Sequence, residues 1–231
     1  MSVTAEPTKM HPQQTSGTCA LVSGGLDSAV LMRQLLASGH RVLPCYLRCG
    51  LRWEATELYW LRRVLRAMRS PRLLPLAVGE MPLRSIYGPH WSLSGRRIPG
   101  PRSADSTVYL PGRNLLLVGH AAVLCSRRGL STIALGVLKG NPFGDATPGF
   151  FSQLAGCLTQ ALGRPFRILT PLRRFSKTQL IRATAKTPWK LTFSCLNPQG
   201  RWHCGRCNKC AERQRAFHRA RIADPTRYAA A

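Results

Sequence analysis

Short apolar runs alternate with helically spaced apolar positions from residue 19 onward, and this pattern predicts alternating strands and helices. Cys19-Ala20-Leu21-Val22 is apolar throughout, as in a strand buried on both faces. It feeds a turn of glycines and serines that opens into a helix over residues 29–36. Residues 41–47 predict a second strand, and Leu58, Leu61, Val64 and Leu65 place a helix over 53–68. A third strand is expected at 72–78. Residues 79–106 are rich in Pro, Gly and Arg, lack a period, and predict a long loop. Beyond it come a helix over 115–125, a strand at 132–137, a helix over 150–162, a short strand at 166–169, and a helix over 177–185 capped by Ser176. Strands alternating with helices in this way build an α/β fold, a parallel sheet flanked by helices.

The chain has 231 residues, enough for one sizeable α/β body with an appendage and too few for two large domains. Its charge is lopsided: 34 Lys and Arg against nine Asp and Glu leave a formal +25. A nucleic acid or an acidic protein would suit such a surplus. The bases are scattered, however, with pairs at Arg62-Arg63, Arg127-Arg128 and Arg173-Arg174 and no continuous tail, so the count alone does not choose a partner. Acids are scarce enough that Asp27 and Asp145, both in Gly-rich turns, stand out. Residues 1–17 are polar, carry Pro7 and Pro12, and predict a disordered leader without the apolar segment of a signal peptide. No apolar run approaches the ~20 residues of a membrane span. The expectation is a cytoplasmic protein with no membrane contact, whose nine cysteines serve metal or catalysis rather than a disulfide framework.

Ser23-Gly24-Gly25-Leu26-Asp27-Ser28 lies between the first strand and the first helix. Glycines let backbone approach a phosphate, successive N–H groups form a nest, and the helix N-terminus adds a favourable dipole. The turn is therefore an anion site. It lacks the four-residue spacer and the Gly-Lys-Ser/Thr ending of a Walker A loop, and resembles the PP-loop of ATP pyrophosphatases, which release AMP and pyrophosphate.

Near the carboxyl end, Cys195, Cys204, Cys207 and Cys210 are spaced C-x8-C-x2-C-x2-C. Four thiolates on tight turns close a tetrahedron around Zn²⁺ with no open position, so the site is structural. An iron–sulfur cluster is the rival, although the C-x3-C-P continuation is missing, and His203 stays open as a substitute ligand. Of the other cysteines, Cys19, Cys45, Cys125 and Cys157 read as core residues. Cys49, just past the second strand, is a candidate catalytic thiol.

The phosphate turn, Tyr109-Leu110-Pro111-Gly112-Arg113-Asn114, Thr170-Pro171-Leu172, Ser176-Lys177 and the cysteine segment with Arg213 and Phe217 together resemble the 7-cyano-7-deazaguanine synthase family, in that family's order. The resemblance implies an adenine-nucleotide α-hydrolase-like fold over 18–190 and a zinc-binding helical segment over 191–231. It implies conversion of 7-carboxy-7-deazaguanine, with ATP and ammonia, to the amide and then the nitrile, on the way to queuosine. By the same resemblance Ala20, Leu21, Val22, Ser23, Gly24, Gly25, Leu26, Asp27, Ser28, Ala29 and Val30 wrap ATP, with Asp27 placing Mg²⁺. Asp27, Lys177 and Arg113 are then the catalytic set. Asn114, Asp145, Phe143 and Phe150 are the expected substrate residues.

The chain departs from the family's Tyr-Pro-Asp-Cys-Arg-Pro-Glu-Phe, having Phe143-Gly144-Asp145-Ala146-Thr147-Pro148-Gly149-Phe150, and from Asp-Tyr-Gly-Gln-Arg-His after the second strand. Acyl transfer to a macromolecule, tRNA thiolation, and a non-catalytic zinc module that binds RNA stay open as alternatives, as does a homodimer.

Overall fold

The computed structural model describes residues 17–184 and 187–229. The leader expected at 1–17 lies, apart from Gly17, outside the described residues. Five parallel strands form one sheet: β1 (Thr18–Leu21), β2 (Val42–Arg48), β3 (Ala77–Glu80), β4 (Thr132–Leu135) and β5 (Arg167–Leu169), in the order β3-β2-β1-β4-β5. The order reverses direction at β1, so the crevice between the carboxyl ends of β1 and β4 is the place where such a sheet binds ligands.

Strand residues alternate between two cores because successive side chains point to opposite faces. Leu43, Cys45 and Leu47 of β2 join Val118, Ala121 and Ala122 of α5 (Arg113–Ser126) and Phe151, Leu154 and Leu158 of α6 (Pro148–Leu162). Val42 and Tyr46 face the other way, into Val30, Leu31 and Leu35 of α1 (Leu26–Ala37), Leu61 and Leu65 of α2 (Glu54–Ala67), Leu180 and Ile181 of α7 (Lys177–Ala183), and Ala216 and Phe217 of α8 (Asn208–Ala220). The expected α/β sandwich is the fold observed.

The third strand begins five residues later than the pattern predicts. Pro71 and Pro75 withhold N–H donors from the ladder, so residues before Ala77 contribute only an isolated bridge from Leu73 to Val42. The segment expected to be loop is broken into local turns: α3 (Arg84–Tyr87), α4 (Trp91–Ser94) and a 3₁₀ turn at Asp105–Val108. His90 caps α4, accepting the Ser92 N–H through Nδ1, and Gly95 closes the turn in the left-handed region.

Two expectations are amended. Among the described residues, Asp105–Ser126 is long and apolar enough by composition to cross a membrane, contrary to the reading that no run approaches that length. The chain bends within it at Pro111 and at Gly112, whose φ is +70°, and α5 then turns its small residues onto the sheet. The thiols also supply one disulfide, Cys19 to Cys125, joining β1 to α5.

Candidate active site

The phosphate turn sits at the carboxyl end of β1. Gly24 takes φ +79°, and a Cβ there would stand 3.0 Å from Leu61 Cβ and 3.1 Å from Leu61 Cα. Glycine is required by conformation and by space. Its carbonyl accepts the Phe193 N–H at 3.0 Å, tying the turn to the cysteine segment. Ser28 Oγ accepts the Ser23 N–H at 3.1 Å and lies 3.3 Å from Ser23 Oγ. Gly25 is the N-cap of α1 and offers no side chain to its first N–H groups, which leaves the helix dipole available to an anion. Gly136, just after β4, allows close packing on the start of α1: a Cβ there would lie 3.2 Å from the Asp27 carbonyl carbon.

Four charged side chains meet beside this turn. Lys177 Nζ lies 3.7 Å from Asp27 Oδ2 and donates to Glu212 Oε1, while Lys209 Nζ is 2.8 Å from Glu212 Oε2. The capping box at Ser176, in which Gln179 accepts the Ser176 N–H at 2.8 Å, starts α7 where Lys177 reaches the turn. Burial pushes the Asp27 carboxyl above its ordinary range, and Lys177 opposes that rise. Burial opposes ionisation of Glu212 too, but its two ammonium neighbours prevail and hold it at about 2. Lys177 likewise is disfavoured by burial and raised by Asp27 and Glu212. Asp27 Oδ1 is buried without a partner in the structure.

Two adjoining cavities open here. The first, about 250 Å³, is lined by Asp27, Lys177, Lys209, Glu212, Phe143 and the exposed Asp105, among others. The second, about 240 Å³, is lined by Leu21, Val22, Ser23, Ser28, Tyr46, Glu57, Arg113 and Asn114. Gly136 and Asn141 border both, so they form one cleft along the carboxyl edge of β1 and β4.

Most of the expected site residues converge on this cleft. Arg113 and Asn114 begin α5, and Arg113 Nε is buried without a partner in the structure. Phe143 stacks on Tyr109 with ring centroids 4.5 Å apart. Asp145 is buried beneath the start of α5, where Oδ2 accepts the Asn114 N–H at 2.9 Å and its carbonyl accepts Asn114 Nδ2 at 3.0 Å. It braces Asn114 from behind and borders neither cavity. Phe150 packs edge-on to Phe151, also outside both cavities. Cys49 is buried, its thiol donates to the Leu47 carbonyl at 3.4 Å, and burial pushes that thiol up to about 11. That environment suits a core thiol and opposes the nucleophile role.

Sequence reading missed Tyr46, Glu57, Lys209 and Glu212. Glu57 is buried, accepts the Tyr46 hydroxyl at 2.8 Å, and is raised to about 7 by burial, with the Tyr46 hydrogen bond acting in the opposite sense. Its only signal in the chain was an acid at a core-facing position of an amphipathic helix.

The cysteines gather at the start of α8. The sulfurs of Cys195, Cys204, Cys207 and Cys210 lie within 4.8 Å of one another, all buried. Two of the pairs, Cys204 with Cys210 and Cys195 with Cys207, are 3.9 Å apart. A tetrahedron with metal–sulfur bonds of about 2.3 Å has edges of about 3.8 Å, so the donor set fits a metal ion. N–H groups of Leu196, Asn197, Cys204 and Cys210 point to these sulfurs at 3.2–3.5 Å, as thiolate charge requires. His203 is held elsewhere: its Nε2 accepts the Ser194 N–H at 3.0 Å, and burial lowers the ring to about 3, keeping it neutral.

A parallel sheet that carries a phosphate turn at its switch point, with an acid and a lysine beside it, defines a PP-loop nucleotide-using protein. The chain belongs to the family described as "Queuosine biosynthesis protein QueC", whose model matches residues 18–221. A 7-cyano-7-deazaguanine synthase of Leptospira interrogans is 29% identical over 219 residues, which are 88% of this chain and 87% of that one. Another, from Anaeromyxobacter sp., is 32% identical over 236 residues, covering 95% and 99%. Among solved structures, a 4-thiouridine synthetase in complex with RNA and ATP shares the fold, with a TM-score of 0.50 and 16% identity over 89% of this chain and 50% of its own.

Proposed function

We propose that this chain is a cytoplasmic 7-cyano-7-deazaguanine synthase, using ATP to adenylate 7-carboxy-7-deazaguanine and ammonia to carry it to the amide and then the nitrile. The observation that carries the reading is the meeting, in one cleft of a chain of this family, of an open helix N-terminus, an unpartnered Asp27 oxygen and the Lys177 ammonium.

The segment from Ala20 to Val30 wraps ATP, with Ser23, Gly24, Gly25 and Ser28 against its phosphates. The orphaned Asp27 Oδ1 fits a hard cation, and Mg²⁺ held there neutralises phosphate charge. A substrate carboxylate oxygen attacks the α-phosphorus, and pyrophosphate leaves. Lys177 and Arg113 face the negative charge that develops. Ammonia nitrogen then bonds to the acyl carbon as AMP departs, and the nitrogen gives up a proton. Glu57, with a carboxyl near neutrality in the same cleft, is suited to accept it. A second ATP then adenylates the amide oxygen with release of a second pyrophosphate, and loss of AMP with the remaining nitrogen protons yields the nitrile.

Asn114 and Phe143 meet the heterocycle in this reading, Asp145 fixes Asn114, and Phe150 supports the loop. The division into an α/β body at 18–190 and a cysteine segment at 191–231 belongs to the same reading. The four thiolates hold Zn²⁺, with no position left for substrate.

Incubation with ATP, Mg²⁺, ammonium and the deazaguanine acid should release pyrophosphate and give amide and nitrile by mass spectrometry. Asp27→Asn and Lys177→Ala should each lower kcat/KM on the order of 10²-fold or more, Asp27→Asn with little change in melting and Lys177→Ala with a lower Tm, since Glu212 loses one of its two ammonium partners. Release of ADP and phosphate overturns the assignment. An adenylate that yields product only when a macromolecule is added transfers it to the conjugation reading.

A further inference from the structure

A groove of about 310 Å³, whose lining includes Trp60, Arg63, Lys190, Trp202 and Arg227, shares no lining residue with the nucleotide cleft. Its surface is made of alternating rings and cations. Trp60 and Trp202 have centroids 6.1 Å apart, Arg227 sits 4.4 Å over the Trp202 ring, and Arg63 is 5.5 Å from Trp60 and 5.6 Å from Tyr59. Arg201 covers Tyr59 at 4.3 Å. The platform is rigid, because Trp60 Nε1 donates to the Arg201 carbonyl at 2.7 Å and Thr56 Oγ1 to the Gly200 carbonyl at 3.1 Å.

Charge on this face has no local counterpart. Among the described residues no carboxylate lies within ion-pair distance of Arg63, Lys190, Arg201 or Arg227. The nearest acid along the chain, Asp224, is turned inward: it accepts the Tyr228 hydroxyl and the Thr226 N–H and lies 3.7 Å from the buried Arg213. Trp202 meanwhile is 36% exposed, although an indole is among the costliest side chains to leave in water.

An exposed indole, Trp202, beside the half-buried Trp60 and interleaved with cations that have no acid partner, fits a ligand that repeats a flat π-face and a negative charge along its length. We propose that this groove binds a single-stranded polynucleotide, with bases on Trp202 and Trp60 and phosphates on Arg63, Lys190 and Arg227. Stacking on aromatic platforms beside a basic track is how such strands are held without sequence readout. A duplex hides its base faces, and an acidic peptide carries charge without them. The proposal does not rest on the adenylation reading, since none of these five side chains borders the nucleotide cleft.

The test is fluorescence anisotropy of the full chain with an unstructured, labelled 12-nucleotide RNA, against duplex RNA and polyglutamate. Trp202→Ala should weaken single-strand binding by about tenfold, the usual size of one lost stack. Arg227→Ala should weaken it and flatten the slope of log K on log salt by about 0.7, the counterion share of one phosphate contact. Arg127→Ala, at the C-cap of α5 and outside this groove, should leave binding unchanged. Each variant is checked by metal content and melting, and pyrophosphate release should persist in all three. Absence of binding overturns the proposal, as does binding indifferent to both Trp202 and Arg227, or equal Trp202-dependent affinity for the duplex or for polyglutamate.

Discussion

Replacing Gly24 by alanine tests whether the phosphate turn is shaped by the helix packed on it. The residue's φ of +79° costs an L-residue about 1–2 kcal/mol. The new methyl would also meet Leu61 Cβ at 3.0 Å, Cα at 3.1 Å and N at 3.2 Å, and Leu61 is only 1% exposed in the middle of α2. Backbone cannot swing aside like the end of a lysine, so overpacking adds about 1–3 kcal/mol. Together these predict a loss of about 2–5 kcal/mol, which for a domain of this size is a fall in Tm of roughly 4–20 °C. The turn should relax by moving away from α2, and misplacement of ligand-binding groups by a fraction of an ångström to 1 Å lowers kcat/KM by up to about 10²-fold. Gly25→Ala is the internal control: its φ is −69° and its Cβ would find ordinary contacts at 3.5–3.6 Å. It should melt within about 1 kcal/mol of the parent. Thermal melts and pyrophosphate-release kinetics on both variants check this. A Gly24→Ala protein with parental Tm and KM would refute the packing argument.

Glu57 should make stability depend on pH in a defined direction. Its folded carboxyl is raised to about 7 from an ordinary 4.5, so its contribution is complete below about pH 4.5 and is lost as pH rises through about 7. The loss amounts to about 3 kcal/mol. Glu57→Gln, whose amide oxygen can still accept the Tyr46 hydroxyl, should therefore melt several degrees above the parent at pH 8 and gain nothing at pH 4.5; equal melting differences at the two pH values would exclude it. For the cysteines, one colourless Zn²⁺ per chain is expected, and Cys207→Ser should lose the metal and melt well below the parent. Elemental analysis finding iron, or a Cys207→Ser chain with its metal and melting intact, would count against the assignment.

The parts of this architecture that are local were legible in the chain. β1, β2 and β4 are short apolar runs that no helix could use, the phosphate turn is contiguous, and four cysteines within sixteen residues can hardly avoid one another. What escaped depends on crossings between distant elements. Glu212 lies 185 residues beyond Asp27 and reaches it only because α7 packs between α1 and α8. Glu57 stands at a core-facing position of α2, but what it pairs with emerges only when α2 is laid against β2 and Tyr46 meets it. Asp145, a conspicuous acid in a Gly/Pro loop, holds the N–H of Asn114 across 31 residues, a contact that sequence does not show. The late start of β3 follows from Pro71 and Pro75, which withhold ladder donors although the run around them is apolar.

The scarcity of acids and the arginine-rich surface have one structural origin. Glu6 aside, which lies outside the described residues, six of the carboxylates are buried or half-buried and hold neighbouring groups, while Glu80 and Asp105 are exposed. Glu54 accepts the Gly50 N–H at 2.8 Å and Arg48 Nε at 3.0 Å, Asp145 holds α5, Asp224 faces Arg213, and Asp27 and Glu212 flank Lys177. Glu57 is bonded to Tyr46, Glu80 pairs with Arg48, and Asp105 borders the cleft. Arg213 illustrates the converse: a fully buried cation is held by Thr226, Thr192 and the Trp189 carbonyl at 2.6–2.9 Å, so it needs only one distant carboxylate. With acids committed to positioning, few remain to neutralise surface arginines, and those cations repel one another across the solvent. Small counterions relieve the repulsion only by screening, over about 10 Å. A strand of phosphates relieves it stoichiometrically and releases its own counterions on binding, which makes the face that also carries the exposed Trp202 the place where such a strand gains most.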